Sequence, residues 1–255
     1  MNKSIVIRGK IFECTQTCVD SIRSWFNGEL ILSTWNNQEI KITGVDKIIT
    51  LNDPGPGPIQ QINRQLFSYK AGLEATTNDL VMVTRSDISH YKNLFQYYDT
   101  LNSYDERFKI FDKRVIVSNM MTINPDKDHP HIPTEQDKYY RISDWFQIGS
   151  KKDLFKWVEI TDIVKEYKNS NLCTEQIWLC GLIKKYHFSN FDLNNMMNLK
   201  FLFIDYLINN FQIIDMKTTG KSINLNWINQ PEDLGCYLME SEYKKKYIDK
   251  FGDFK

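Results

Sequence analysis

An α/β fold, a sheet flanked by helices, is predicted for this chain by three observations. Short apolar runs rich in β-branched residues recur at Ser4–Arg8, Glu29–Trp35, Asp46–Leu51 and Asp79–Ile88, with amphipathic stretches after the first and third. Within the last run, Leu80-Val81-Met82-Val83 is apolar at every position, the pattern of a strand buried on both faces. That run then stops in the polar cluster Thr84-Arg85-Ser86-Asp87, and ligands of open α/β sheets sit just beyond the carboxyl ends of the strands. Arg85 suits a phosphate and Asp87 a divalent metal bridging its oxygens, or the two simply pair with each other at a strand end.

The first run is followed, after Gly9, by a helix of about thirteen residues that begins near Thr15 or Thr17 and passes through Ile22, Trp25 and Phe26. Thr17 and Asp20 have capping-box spacing, and Gly28 closes the helix. Glu29–Trp35 is the second strand, which makes a βαβ unit with a right-handed crossover. The third strand, Asp46–Leu51, runs into Asn52-Asp53-Pro54-Gly55-Pro56-Gly57-Pro58, where three prolines and two glycines forbid regular structure. Asp53 there either accepts hydrogen bonds from a base or sugar or sits in a plain turn. Gln60–Ala75 is an amphipathic helix with Ile62, Leu66, Tyr69 and Leu73 at helical spacing. Arg64, near its start, either binds phosphate or is solvated. After the Asp79–Ile88 strand a helix is expected over about Ser89–Leu101, then a strand at Arg114–Ser118.

From there the alternation loosens. Residues 124–133 form a long irregular stretch in which His129 and His131 are either metal ligands or solvated. Asp144, in the compact apolar element Ile142–Gly149, suits a sugar hydroxyl beside a stacking ring, or the element is an ordinary strand whose acid caps the helix expected over Lys151–Ile160, and the two roles are compatible. Thr174-Glu175-Gln176 opens another helix, and Glu175 either serves the helix dipole or acts as a general base. A mostly apolar helix over Leu199–Asn210, a short strand at Phe211–Ile214 and a turn at Thr218-Thr219-Gly220 follow. The tail, Glu242–Phe251, mixes lysines and aromatics and is either a solvated helix or a membrane-surface contact.

Composition narrows the function classes. At 255 residues, 42% hydrophobic and 25% charged, the chain is an ordinary globular protein of one large or two small domains. Lysine plus arginine and aspartate plus glutamate both total 32, so no global field draws nucleic acid or an anionic membrane. Any anionic ligand must be met locally. The five cysteines are odd in number and lack zinc spacing, which points to buried, reduced thiols in the cytoplasm. Met1–Arg8 is too short an apolar run for a signal peptide, and Leu199–Met216 is too interrupted by polar residues for a transmembrane helix.

Taken together, "ILSTW" in the second strand, "DPG" after the third, "NRQLFSYKAGL", "VTRSD", "SDWFQIG" and "TEQIW" resemble the WavE-type lipopolysaccharide-synthesis glycosyltransferases over roughly residues 4–187. The resemblance implies a GT-A-like, Rossmann-type mixed sheet with a mostly helical C-terminal part. It implies a catalytic domain over 1–190, with a donor half of about 1–120 and an acceptor half of about 121–190, and a C-terminal extension, 191–255, packed on the same domain. On that basis Arg8, Thr34 and Asp53 line the nucleotide pocket while Arg64 and Arg85 approach the diphosphate. Asp87 occupies the place of the last acid of a DxD motif, with Arg85 where the first acid is usual. A divalent ion, manganese or magnesium, is expected at Asp87 with His131 as a further ligand, although the arginine could do part of its work.

The implied reaction moves a sugar from a nucleotide-sugar donor to a hydroxyl of a growing surface glycan or glycolipid, with inversion. Glu175 is the first choice of base and Asp144 the second. No nucleic acid is implied and at most peripheral membrane contact, at the inner face. The alternative from another class is a nucleotide-sugar-binding protein without turnover, which would need neither Glu175 nor a metal at Asp87.

Overall fold

The computed structural model describes residues 2–58, 60–127, 138–167, 172–189, 191, 199–215, 220–222 and 237–252. Strand β1 (Lys3–Arg8), helix α1 (Thr15–Arg23), β2 (Glu29–Trp35), β3 (Lys47–Leu51), α2 (Ile62–Ala75) and β4 (Leu80–Arg85) follow the expected order. After them come β5 (Ile88–His90), β6 (Val115–Ser118), β7 (Phe146–Ser150), α3 (Lys151–Val158), the short α4 (Thr161–Val164) and α5 (Thr174–Tyr186). The C-terminal part holds α6 (Phe203–Asn210), β8 (Phe211–Ile214), β9 (Gly220–Ser222) and α7 (Glu240–Phe251).

Seven strands form one mixed sheet in the order β3-β2-β1-β4-β7-β6-β8, and β7 alone runs against its neighbours. Strand alternation separates two cores. Val6, Ile31, Val81, Val83 and Val117 face one side, toward α2, α3, α5 and α6. Ile5, Ile7, Leu30, Leu32, Met82, Ile116 and Ile148 face the other, toward α1 and the segment around Phe95. Helices therefore flank the sheet, as the sequence predicts, and the continuous apolar runs reflect burial on both faces.

One close approach fixes α2 on the sheet. A Cβ at Gly72 would lie 2.3 Å from Val6 Cγ1 and 3.4 Å from Ser33 Cβ. Gly72→Ala is therefore expected to lower stability by about 1–3 kcal/mol, because the helix must lift off its strands. A urea titration checks this, and an unchanged midpoint would show that the helix accommodates the methyl.

Several local expectations are corrected. The Thr17–Asp20 capping box does not form: α1 starts two residues earlier, with Cys14 at its N-cap, and ends at Arg23 rather than Phe26. No helix spans Ser89–Leu101. Ile88–His90 is a strand antiparallel to β9, followed only by a 3-10 turn at Leu94–Tyr97. The physical reason is that all three residues of β5 are buried and that α1 and the turn after it engage the His90 backbone. The His90 amide donates to Ser21 Oγ at 3.0 Å, and its carbonyl accepts from Trp25 Nε1 at 2.7 Å. Ser150, not Asp144, caps α3, accepting from the Asp153 amide. Residues 200–202 form a 3-10 turn before α6. Cys236, Thr218 and Thr219 lie outside the described residues.

Helix α7 is docked rather than free. Tyr243 and Tyr247 are buried, and the Tyr243 hydroxyl donates to the Phe211 carbonyl. Lys244 pairs with Glu240 and Lys246 with Asp126, so part of its lysine charge is met within the chain. No helix among the described residues is long and apolar enough to cross a membrane.

His90 gives the fold a predicted pH dependence. It is fully buried, shares a 2.8 Å hydrogen bond with Thr84 Oγ1 and meets the Phe146 ring edge-on. Burial pushes its pKa down to about 3. The unfolded chain takes up this proton below about pH 6.5 while the folded chain refuses it, so stability falls with decreasing pH between those values. The expected slope is up to about 1.4 kcal/mol per pH unit. His90→Gln should flatten it, as measured by urea midpoints from pH 7 to 4.

Candidate functional site

The carboxyl edge of the sheet collects the charged residues. Strands β1 and β4 are parallel neighbours in a register that sets Arg8 opposite Arg85, so two guanidiniums arise side by side where both strands end. Beyond Arg8 the chain turns at Gly9, whose φ of +108° is unfavourable for residues with a Cβ. Beyond Arg85 it turns at Ser86, whose amide donates to the Arg8 carbonyl and whose hydroxyl bonds to the Lys10 carbonyl. The two turns thus hold each other. Strand β7 pairs antiparallel with β4, Phe146 against Thr84, and brings the preceding Asp144 to the same edge.

An ion-pair network results. Asp87 accepts from Arg85 Nε at 2.9 Å and Nη2 at 2.7 Å, a bidentate pair. Asp144 Oδ2 lies 3.7 Å from Arg8 Nη2, and its Oδ1 lies 4.0 Å from Arg85 Nη1. Arg8 Nη2 also donates to the Asp144 carbonyl at 2.8 Å. Arg8 is 3% exposed and Asp144 2%. The Arg8 guanidinium stands over the Tyr69 ring and that of Arg85 over Trp145. Arg8 Nε is buried with no hydrogen-bond partner, so this guanidinium is held below its donor capacity. Burial works against the charge on Arg85, but Asp144 and Asp87 outweigh it and hold its pKa above the ordinary value.

In front of the network opens a cavity of about 650 Å³. Its cationic lining comes from Arg8, Lys10, Arg64 and Arg85, against two carboxylates, Asp53 and Asp87. Phe12 and Trp35 supply aromatic surface, and Gln38, Gln61 and Gln65 supply amides. Cations with aromatic and amide groups in one cleft suit an anionic ligand that carries a flat ring.

The described residues singled out by the sequence fall into three groups. Arg8, Arg85, Asp87 and Asp144 come together in the network. Asp53 and Arg64 form a separate pair, with Arg64 Nε on Oδ1 at 2.8 Å and Nη2 on Oδ2 at 2.7 Å. The Gly55 amide also donates to Asp53, and Arg64 Nη1 donates to Gln61. The Arg64 hydrogen bond holds the Asp53 carboxyl below its usual range. This pair latches the proline-glycine loop to the start of α2. Thr34 is buried and not in the cavity lining: its Oγ1 accepts from Gln38 Nε2, while Gln38 Oε1 accepts from the Ile11 amide, bracing the loop after β1. His129 and His131 lie outside the described residues.

Glu175 stands in the first turn of α5 and is half-buried. Desolvation and the charge of Asp144 raise its pKa, while Arg141 pulls the other way. Its charge is also felt at Arg85. Asp144 and Glu175 are not in the cavity lining; Asp144 lies against both arginines, and Glu175 is near enough to Asp144 and Arg85 for their charges to interact. The sequence reading missed Lys10, Phe12, Gln38 and Arg141. A signal existed for two of them: Arg8-Gly9-Lys10 puts two cations around a strand-end glycine, and Arg141 precedes Asp144 much as Arg85 precedes Asp87.

The metal expected at Asp87 finds a poor fit in these residues. Both Asp87 oxygens already accept from Arg85, and two guanidiniums occupy the ground a cation would take. Among the described residues no three His, Cys, Asp or Glu side chains group as metal ligands.

A model of the WavE lipopolysaccharide synthesis family matches residues 4–247. The chain belongs to the WavE lipopolysaccharide synthesis family. The match runs past the point, near residue 187, where the motifs stop, and takes in β8 and most of α7 of this WavE chain. No curated protein matches the sequence. Among solved structures, the WavE chain is similar to the galactosyltransferase LgtC in complex with donor and acceptor sugar analogs. Identity is 15%, coverage is 71% of this chain and 70% of that one, and the TM-score is 0.46. It is also similar to the apo-form glycosyltransferase GlyE of Streptococcus pneumoniae TIGR4, at 12% identity, 73% and 44% coverage and a TM-score of 0.43.

Proposed function

We propose that this WavE-family chain is a glycosyltransferase that moves a sugar from a nucleoside-diphosphate donor to a hydroxyl of a growing surface glycan or glycolipid. The observation that carries the reading is the placement of Arg8 beside Arg85 in the lining of a cavity that also holds aromatic rings. Four cations against two carboxylates leave the lining net positive, which suits a diphosphate. On this reading the base and ribose take the Phe12, Trp35 and Gln38 side, and the diphosphate takes the arginine side. Asp53 and Arg64, each engaged by the other, shape that side as a rigid wall. The acceptor approaches from the Asp144 and Glu175 side. The donor half is then about residues 1–120 and the acceptor half about 121–190, with the remainder packed against them. The work is done on the cytoplasmic side, with at most peripheral membrane contact.

The reaction follows from these placements. The acceptor oxygen attacks the anomeric carbon, the bond from that carbon to the diphosphate oxygen breaks, and its electron pair leaves with the diphosphate. The acceptor proton goes to Glu175, and direct attack inverts the anomeric centre. A carboxyl whose pKa is raised by burial and by a neighbouring charge is a stronger base than an ordinary carboxylate, which favours Glu175 for this role. Asp144, held between two guanidiniums, positions them instead. No step is assigned to a metal.

One observation favours the second reading, a binding protein without turnover: both base candidates lie outside the cavity lining. Thermal-shift titration with UDP-, GDP-, CMP- and dTDP-sugars, followed by assay for released nucleotide, separates the readings. The enzyme is expected to be stabilised by one donor class and to release its nucleotide slowly. Stabilisation with no release under any acceptor would point to the binding protein.

A further inference from the structure

We propose that this chain holds its donor's diphosphate on the Arg8–Arg85 guanidinium pair without a divalent ion, the two arginines supplying the positive charge at the leaving group. The inference rests on the donor-site reading above and concerns what neutralises the leaving group there.

Three observations carry it. First, the acid that could have bound a metal is already spent. Asp87 gives one oxygen to Arg85 Nε and the other to Arg85 Nη2, and at 3% exposure it has little open surface. A metal there would have to displace Arg85 from both its hydrogen bonds to Asp87, leaving that guanidinium with Asp144 at 4.0 Å and a second guanidinium on the neighbouring strand. Second, Asp144 is no better placed. It is buried and lies against both arginines, at 3.7 and 4.0 Å, so an ion that recruited it would strip the pair of its remaining counter-charge. Third, the arginines keep donors in reserve. Arg85 commits Nε and Nη2 to Asp87, while its Nη1 stands at ion-pair distance from Asp144, beyond hydrogen-bonding reach. Arg8 lines the same cavity, with Nη2 given to the Asp144 carbonyl and Nε buried without a hydrogen-bond partner.

The network therefore does for the arginines what a metal's ligands do for a metal. Asp87, Asp144, Tyr69 and Trp145 fix two cations on adjacent strand ends. When the bond from the anomeric carbon to the diphosphate oxygen breaks, its electron pair settles on that oxygen. The charge spreads over the diphosphate, where guanidinium N–H groups donate to it; no proton leaves arginine and no other co-reactant is needed. Lys10, across Gly9 from Arg8, adds a third cation to the same lining.

Isothermal titration of the full chain with UDP, GDP, CDP and dTDP, each in EDTA and in excess manganese, tests this without relying on turnover. The expected result is that at least one nucleotide binds and that its Kd agrees within about twofold between the two conditions. Arg85→Gln should weaken that binding at least tenfold in both. Arg85→Lys, which keeps the charge and guards against a folding artefact, should lose less. Binding that needs manganese, with Kd rising tenfold or more in EDTA, would overturn the inference and leave the donor reading intact. Failure of every nucleotide to bind in either condition would overturn both.

Discussion

Replacing Glu175 by glutamine is expected to lower transfer by about 10²–10⁴-fold while leaving donor binding unchanged. Glutamine matches the shape of glutamate but takes no proton, so the loss measures proton acceptance rather than packing. Donor binding is spared because Glu175 does not line the cavity. The same argument fixes a pH dependence. Desolvation and the Asp144 charge raise the Glu175 pKa, and a base works only when ionised. Transfer by the wild type should therefore fall with decreasing pH through a limb above the ordinary glutamate value of about 4.3. In the variant that limb should disappear. Turnover of Glu175→Gln at the wild-type rate, with the limb retained, would remove Glu175 as the base.

Asp144→Ala is expected to act on the fold instead. Arg8 is almost wholly buried, and among the described residues it has one oppositely charged neighbour within ion-pair distance, Asp144, besides that residue's backbone carbonyl. Removing the carboxylate leaves a buried guanidinium without its counter-ion, at a cost of about 3–5 kcal/mol. Arg85 suffers less because Asp87 still holds it by two hydrogen bonds. Urea denaturation reads the loss. A double-variant cycle localises it: in an Arg8→Met background, Asp144→Asn should cost less than in the wild type by at least about 1 kcal/mol. Additive effects would mean that the pair is not coupled. Glu175→Gln should leave the urea midpoint near the wild-type value, so the two acids separate into different roles.

How much of this was legible in the sequence depended on whether the signal was local. The apolar run Leu80-Val81-Met82-Val83 announced a strand buried on both faces because each residue reports its own surroundings. The polar stop after it announced the sheet edge on which the cavity opens. The side-by-side placement of Arg8 and Arg85 was not legible, because it depends on the register between strands far apart in the chain. Nor was the mutual engagement of Asp53 and Arg64, which needs the approach of α2 to the proline-glycine loop. Thr34 stood at the right strand end, but only packing shows that it braces Gln38 rather than facing the cavity. The helix expected over Ser89–Leu101 was lost because Ser21 on α1 and Trp25 just after it capture the His90 backbone, a tertiary contact that outweighs local propensity.

At the centre of this account stands the arginine pair that began as a polar stop in the sequence. A crystal structure of the chain with its bound nucleotide donor locates the two phosphorus atoms directly. The account predicts them beside Arg8 and Arg85, with guanidinium nitrogens at hydrogen-bond distance from diphosphate oxygens and the base toward Phe12 and Trp35. Phosphates bound elsewhere, with no diphosphate oxygen within hydrogen-bond distance of Arg8 or Arg85, would contradict it.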